Sequence, residues 1–342
     1  MSAIRTALVG FGHAGQVFHG PLLADDARYR LEVIVTSDAG RAAAAARLHP
    51  QARVVPDLAA ALATGPDLVV VASPPATHVP AATAALAAGC AVVLDKPMCP
   101  DPAEGRALVE RAEALGRPLT VFHNRRWDSE LLTLQRLLAE GALGEVWRFE
   151  SRLERWKTAE TKPWKAAATW REGGGVLFDL GSHLIDQALV LFGPVDEVHA
   201  ELSAHRGGAD DDAFVSLRHR SGVRSHLTMS TTAALTGDRM RVLGSRAAFV
   251  KTAPDVQEAQ LAAGLAPSAA DYGQEPPALL GTGDGAEPVA CEPGRYPRFY
   301  DLLATALLEG GPLPVDPREA LAVVELVARI HRVRVPETSV AG

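Results

Sequence analysis

The sequence predicts an α/β protein: a doubly wound parallel sheet over residues 1–123, then an α+β domain over residues 124–342 built on an open antiparallel sheet. Three observations predict it. Up to Asn124, short β-branched runs alternate with longer helix-like stretches, and a glycine-rich turn follows the first run. Beyond Asn124 the rhythm changes to a long helix, a strand, and then a series of alternating segments punctuated by turns.

Six runs in the first part read as strands: TALVG, LEVIVT, ARVV, DLVVVAS, AVVLD and LTVFH. Each is nearly continuous in apolar residues, as a strand buried on both faces must be. Helical stretches around 14–24, 39–48, 57–63, 76–88 and 101–116 separate them, several preceded by Asp or Pro or stopped by Gly. The pattern is two mononucleotide-binding halves in succession. In the second part, residues 128–140 form a helix with Asp128 as N-cap and Gly141 as stop, followed by a strand over 145–154. A helix over 176–191 follows three glycines, and the segments between 195 and 252 suit an antiparallel sheet. Residues 253–294, rich in Pro, Gly and Ala, read as a long excursion with one strand, and two helices near 295–309 and 316–333 close the chain.

Composition narrows the function classes. With 34 Lys and Arg against 41 Asp and Glu, the 342-residue chain carries a formal charge of −7, so it has no basic surplus to neutralise nucleic acid or an anionic membrane. No apolar run reaches the roughly 18 residues of a membrane span. The opening ALVG runs into glycines without a basic stretch before it, so it is not a signal peptide. Cys90, Cys99 and Cys291 are odd in number and widely spaced, which fits neither a disulfide framework nor a zinc site of CxxC pairs. The expectation is a cytoplasmic, reduced protein.

Gly10-Phe11-Gly12-His13-Ala14-Gly15 follows the first strand and opens a helix, the context in which GxGxxG means a dinucleotide site. Gly10 permits the turn, Gly12 admits a pyrophosphate, Gly15 allows close helix–strand packing, and the helix N-terminus faces the anion. The first domain is thus expected to be a Rossmann domain. The end of the second strand selects the cofactor, because an acidic residue there binds the ribose 2′-hydroxyl and repels a 2′-phosphate. Here Thr36 and Ser37 come first and Arg41 follows, which suits NADP; Asp38 would serve NAD if the strand ended one residue later.

Two further clusters lie where chemistry is expected. Ser73, Pro74 and His78 follow the fourth strand, and Asp95-Lys96-Pro97 follows the fifth, at the carboxyl ends where open α/β sheets bind ligands. Pro97 disfavours helix at Lys96 and so aims an amine into the crevice, where it can exchange a proton with a substrate hydroxyl. In the second domain, Asp179, His183 and Asp186 stand at i, i+4 and i+7, on one face of an otherwise apolar helix. Asp179 can orient His183, which then takes a hydroxyl proton or hydrogen-bonds the reacting oxygen. A satisfied core network is the plainer alternative for this trio. A metal site is less favoured, since DxxxH lacks a further His or Cys ligand.

GFGHAG, the Ser-Pro segment ending in His78, DKP, and Trp170-Arg171 leading into GGG…DLGSHLID together resemble the Gfo/Idh/MocA oxidoreductases, over essentially the whole chain. Within that family the stretch VFHNRRWDSELLTLQRLL resembles the branch containing NADP-dependent scyllo-inositol dehydrogenases. The resemblance implies catalytic roles for Lys96, Asp179 and His183. It also implies that Asn124 lies near the nicotinamide, that Trp170 and Arg171 reach the cofactor, and that the open sheet joins a homodimer or homotetramer. Asp95 stands where the family has a longer glutamate. Arg125, Arg126, Arg155, Trp156 and Tyr296 are candidate substrate-pocket residues.

The expected activity is hydride transfer between NADP, or alternatively NAD, and a secondary alcohol or ketone of a cyclic polyol or sugar, with no metal. Two other readings stay open: a glycosidase that uses NAD transiently, and a non-catalytic nucleotide-binding regulator. Reduction of an imine or tetrapyrrole is a weaker third.

Overall fold

A computed structural model describes residues 3–157 and 168–333 of the chain. The six expected strands form one parallel sheet in the order β3-β2-β1-β4-β5-β6. They span Ile4–Val9 (β1), Tyr29–Val35 (β2), Arg53–Val55 (β3), Leu68–Val71 (β4), Ala91–Asp95 (β5) and Leu119–Phe122 (β6). The order reverses between β1 and β4, and it is outside the carboxyl ends at such a switch point that open α/β sheets bind ligands. Both faces are covered, so Leu8, Ile34, Val69, Val70 and Val93 are wholly buried, each contributing roughly 1.5–3 kcal/mol of transfer free energy. The helices are α1 (Gly20–Asp25), α2 (Ala39–Leu48), α3 (Leu58–Leu62), α4 (His78–Ala87) and α5 (Pro102–Ala114). Asp38, Asp57 and Asp101 cap α2, α3 and α5 by accepting backbone N–H bonds.

The helix expected over 14–24 is two elements. Residues Ala14–His19 form a wide π-helical turn, and α1 continues from Gly20. The same happens in the second region, where Leu177–Gly181 is π-helical before α7 (Ser182–Phe192), so the single helix expected over 176–191 is corrected. Such insertions displace one residue from the α register.

The second sheet has eight strands in the order β14-β13-β12-β11-β7-β10-β9-β8. These are β7 (Val146–Glu154), β8 (Val195–Ser203), β9 (Asp212–His219), β10 (Arg224–Ser230), β11 (Met240–Gly244), β12 (Ala248–Lys251), β13 (Ala278–Thr282) and β14 (Gly285–Val289). It is mostly antiparallel as expected, but β7 and β10 pair in parallel. Alternate residues turn inward: Phe149 and Ser151 on β7, Leu227 and Met229 on β10, Val215 and Leu217 on β9. All of these except Ser151 join one core with Leu184, Ile185 and Ala188 of α7. The opposite residues of the strands carry charge, with Glu150 between Arg148 and Arg241 at 2.8 and 3.5 Å.

Residues 253–294 depart most from expectation. They hold a helix, α8 (Gln257–Ala262), and two strands, β13 and β14, rather than one strand. The remaining helices are α6 (Ser129–Ala139), α9 (Pro297–Glu309) and α10 (Pro317–Arg332). Where the sequence suggests a division after residue 123, the compact units are discontinuous. The first holds 1–132, 255–275 and 292–321; the second holds 133–254, 276–291 and 322–342. Aromatic contacts explain why α9 belongs to the first unit: Phe299 packs edge-on against Phe122 at 4.9 Å, and the Tyr29 hydroxyl donates to the Tyr300 carbonyl at 2.6 Å. Among the described residues no helix is long and apolar enough to cross a membrane.

Candidate active site

The glycine turn sits at the carboxyl end of β1, and its three glycines are demanded by different things. Gly10 has φ +94°, and a Cβ there would lie 2.7 Å from the Ala72 carbonyl oxygen. A Cβ at Gly15 would lie 2.3 Å from the Gly10 carbonyl oxygen. Both are required by the protein's own backbone. At Gly12 the nearest atom to such a Cβ is the Arg41 Nη1, 4.0 Å away, so nothing in the chain forbids a side chain there. The bare backbone of Gly12 is explained by a group that approaches from outside, and this is the fit expected of a dinucleotide pyrophosphate. Phe11 is different from its neighbours: its ring is buried, edge-on to His49, so only its backbone belongs to the turn.

Beyond β2, which ends at Val35, the Asp38 carboxylate is turned to the N-terminus of α2, where it accepts from the Arg41 N–H at 2.8 Å. That bond and the Arg41 charge hold the Asp38 carboxyl below its ordinary value. Thr36 and Ser37 lie on the exposed side of the same corner, and the Arg41 side chain reaches back toward Gly12.

At the ends of β4 and β5, two loops are joined through one buried side chain. His78 is 1% exposed; its Nε2 lies 2.8 Å from the Ser73 carbonyl oxygen, and its Nδ1 lies 3.1 and 3.2 Å from those of Pro97 and Met98. The expectation that His78 meets the cofactor is thereby revised: its ring nitrogens face backbone, and the residue ties the Ser73-Pro74 loop to the Lys96-Pro97 turn. Burial pulls the His78 imidazolium down, with Asp95 and the carbonyls acting the other way. The Lys96–Pro97 bond is cis. Asp95 accepts from the Lys96 N–H at 2.9 Å and lies 3.8 Å from the His19 Nε2. Burial pushes the Asp95 carboxyl up, but His19, Lys96 and His78 outweigh it and leave it below the ordinary range. Lys96 itself is half-buried at the end of β5.

After β6 come Asn124, nearly buried, and two arginines with fixed partners. Arg126 pairs with Glu319 at 2.6 Å. Arg125 reaches Asp128 at 3.2 Å and Glu258 at 3.3 Å, and the Glu258 carboxylate also meets the His13 Nε2 at 3.1 Å. Tyr296 does not line a pocket: it is fully buried and donates its hydroxyl to Asp128 at 2.8 Å. Glu258 is the residue that sequence reasoning passed over. It lies in Asp255-Val256-Gln257-Glu258, inside the stretch read as a featureless excursion.

In the second unit, three glycines precede the π-helical turn, and all are crowded by the chain. A Cβ at Gly173 would meet the Phe178 ring at 2.8 Å, at Gly174 the Ala168 carbonyl at 2.3 Å, and at Gly175 the Asp210 carboxylate at 2.1 Å. Asp210 closes the start of the turn by accepting from the Leu177 N–H at 2.7 Å, and burial pushes its carboxyl up to about 6. Asp179 stands in this turn, partly exposed, 3.7 Å from Arg155. His183 and Asp186 lie buried on α7 beyond it, so the three do not follow one unbroken α register. Trp156 is exposed. Trp170 stacks on His331 at 4.5 Å, and the Arg171 guanidinium lies 4.5 Å from the Trp170 ring centre.

A parallel sheet with a switch point, a glycine turn open at its middle glycine, and an amine at the end of β5 define a nicotinamide-dinucleotide oxidoreductase. Sequence comparison agrees. Residues 4–123 match the oxidoreductase family with an NAD-binding Rossmann fold, and residues 131–250 match the GFO/IDH/MocA C-terminal domain. The chain belongs to the GFO/IDH/MocA family, as an NAD(P)-dependent dehydrogenase of the kind acting on CH–OH groups. It is 38% identical to the uncharacterised oxidoreductase YdgJ of Escherichia coli (strain K12), covering 95% of this chain and 94% of that one. It is 32% identical to scyllo-inositol 2-dehydrogenase (NADP(+)) IolW of Bacillus subtilis (strain 168), covering 96% and 92%. Among solved structures, yvaA of Bacillus subtilis superposes with a TM-score of 0.89 at 31% identity, covering 97% of this chain and 96% of that one.

Proposed function

We propose that the protein oxidises a secondary alcohol of a cyclic polyol or sugar, or reduces the corresponding ketone, with NADP preferred over NAD. The observation that carries the reading is the bare Gly12 backbone with the Arg41 guanidinium beside it, 4.0 Å from where a Cβ would stand. A guanidinium there complements a 2′-phosphate, and Asp38 spends its Oδ1 on the cap of α2. The likeness to IolW supports an inositol-like substrate.

In this reading the turn from Gly10 to Gly15, with His13 and Ala14 at the helix start, holds the pyrophosphate. Thr36, Ser37 and Arg41 hold the adenosine side; Ser73, Pro74, Asp95 and Asn124 line the nicotinamide side, and Trp170 and Arg171 are also assigned to the cofactor. The bound cofactor would supply the hydride acceptor. Lys96 exchanges the hydroxyl proton, and His183, oriented with Asp179, hydrogen-bonds or deprotonates the reacting oxygen. Asp95 anchors the Lys96 backbone, and His78 fixes the turn on which Lys96 stands. The active form we take to be a homodimer or homotetramer in the cytoplasm.

A panel of inositols and aldoses assayed with NAD and NADP in parallel tests the proposal through absorbance of the reduced cofactor. The expected result is turnover of at least one cyclic polyol, faster with NADP. Turnover confined to NAD overturns the cofactor assignment; released sugar without net reduced cofactor points to a glycosidase instead.

A further inference from the structure

The segment 255–262 brings a carboxylate to the glycine turn, and the way it is anchored is out of proportion to a surface ion pair. Asp255 is 8% exposed and Gln257 fully buried. Asp255 accepts from the Ser129 N–H at 2.8 Å and from the Gln257 N–H at 2.8 Å. The Gln257 amide donates to the Trp127 carbonyl at 3.0 Å and accepts from the Tyr296 N–H at 2.6 Å. Gly294 leaves the space for this: a Cβ there would lie 2.2 Å from the Gln257 Nε2 and 2.6 Å from the Asp255 Oδ2. Burial and the neighbouring Asp128 push the Asp255 carboxyl up, so ionising it in place is unfavourable.

All of this fixes the start of α8, whose next side chain is Glu258. An exposed ion pair contributes little to stability, whereas holding a carboxyl away from water is costly. An exposed pair alone does not offset such an anchorage. Glu258 remains 43% exposed, and its two oxygens receive one donor each, His13 on Oε1 and Arg125 on Oε2. A carboxylate has about four acceptor directions, so each oxygen keeps one for an incoming group. The His13 bond, against burial, and the charges of Arg125, His13 and Lys96 hold the Glu258 carboxyl below its ordinary value. At its free acceptor directions an anion disfavours phosphate and selects hydrogen-bond donors, which leaves the pyrophosphate to the backbone of the turn.

We propose that Glu258 is a ligand-binding carboxylate that accepts hydrogen bonds from a pair of neighbouring hydroxyls at the glycine turn, beside Lys96. This rests on the reading above that the turn binds a nicotinamide dinucleotide. Neighbouring hydroxyls come from two sources there, the ribose on the nicotinamide side and the polyol substrate.

The test uses the full chain and the isosteric variant Glu258→Gln, which keeps the side chain and loses the charge. NADPH affinity is read from its fluorescence, adenosine 2′,5′-bisphosphate affinity by calorimetry, and KM with scyllo-inositol. A loss of about tenfold or more in NADPH affinity, with the bisphosphate changed less than about twofold, assigns the ribose. An unchanged NADPH affinity with KM raised about tenfold assigns the polyol. Either result supports the proposal. It is overturned if neither quantity moves more than about twofold, or if NADPH and the bisphosphate weaken equally, which would mark a mere prop for the turn. If Glu258→Gln melts early, Glu258→Asp replaces it: the charge stays but the oxygens withdraw by one methylene, and the same pattern of selective loss is required. Failure of the wild-type chain to bind either NADPH or NADH is a separate outcome. It would bring down the dinucleotide reading and this proposal with it.

Discussion

The two glycine-rich segments of the molecule invite comparison, because both lead through a π-helical turn into an α-helix and both carry candidate catalytic or binding residues. In Gly173-Gly174-Gly175 every missing side chain is accounted for by an atom of the chain within 3 Å. In the turn from Gly10 to Gly15 the outer two glycines are accounted for in the same way and the middle one is not. Glycine by itself therefore says little. At the end of a strand facing a helix N-terminus, a glycine that packing does not require leaves room for something else to come close, and of these two segments only the first has one.

The comparison can be broken in several ways. The largest effect is expected at the proposed reacting groups: Lys96→Ala should lower kcat by about 10²–10⁴-fold while NADPH still binds, as loss of general acid–base catalysis does. His183→Ala should do the same, and a variant of either residue with unchanged turnover would remove it from the mechanism. Next come the glycines. Gly12→Val should cost about tenfold or more in NADPH affinity at an unchanged melting temperature. Gly175→Ala should instead cost roughly 1–3 kcal/mol of stability, because its φ of +92° and the Asp210 carboxylate both oppose a Cβ. Exchange of those two phenotypes would reverse the argument.

Replacing Arg41 by Ala should reduce the preference for NADP over NAD by about 10–100-fold, the worth of a charge-assisted hydrogen bond, read as the ratio of kcat/KM values. The smallest effect concerns pH. Asp210 titrates near 3.8 when unfolded and about 6 when folded, so the folded state holds its proton more tightly. Stability should then fall as pH rises through 3.8 to about 6 and level off above, and Asp210→Asn should flatten that segment of a urea-midpoint profile. A profile of the variant that still falls there would assign the slope to another group.

The sequence was most legible where burial on both faces leaves an unmistakable pattern. All six strands of the first sheet, from Ile4 to Phe122, stand where continuous apolar runs place them. The antiparallel region was legible through its turns, but nothing local signals that β10 runs parallel to β7, since that pairing joins residues some 75 positions apart. Position along the chain also singled out the glycine turn, Lys96 and the Asp179–His183 segment as candidates. Side-chain direction was not legible. Phe11 and Tyr296 look like site residues by address and are core by orientation, while His78 spends its nitrogens on carbonyls. Glu258 was hidden for the opposite reason: Asp255-Val256-Gln257-Glu258 reads as a polar loop until Ser129, Trp127 and Tyr296 are brought to it by the fold.

The distribution of each compact unit over three stretches of chain has a bearing on how the protein can be dissected. A fragment ending at residue 123 would hold the whole six-stranded sheet yet lack Phe299 and Tyr300, and would strip Phe122 and His19 of the rings that pack on them from α9. Such a fragment should bind hydrophobic dyes and aggregate. A shuffled enzyme that borrowed only the leading third of this chain would inherit the nucleotide turn without the aromatic keystone that keeps its floor dry.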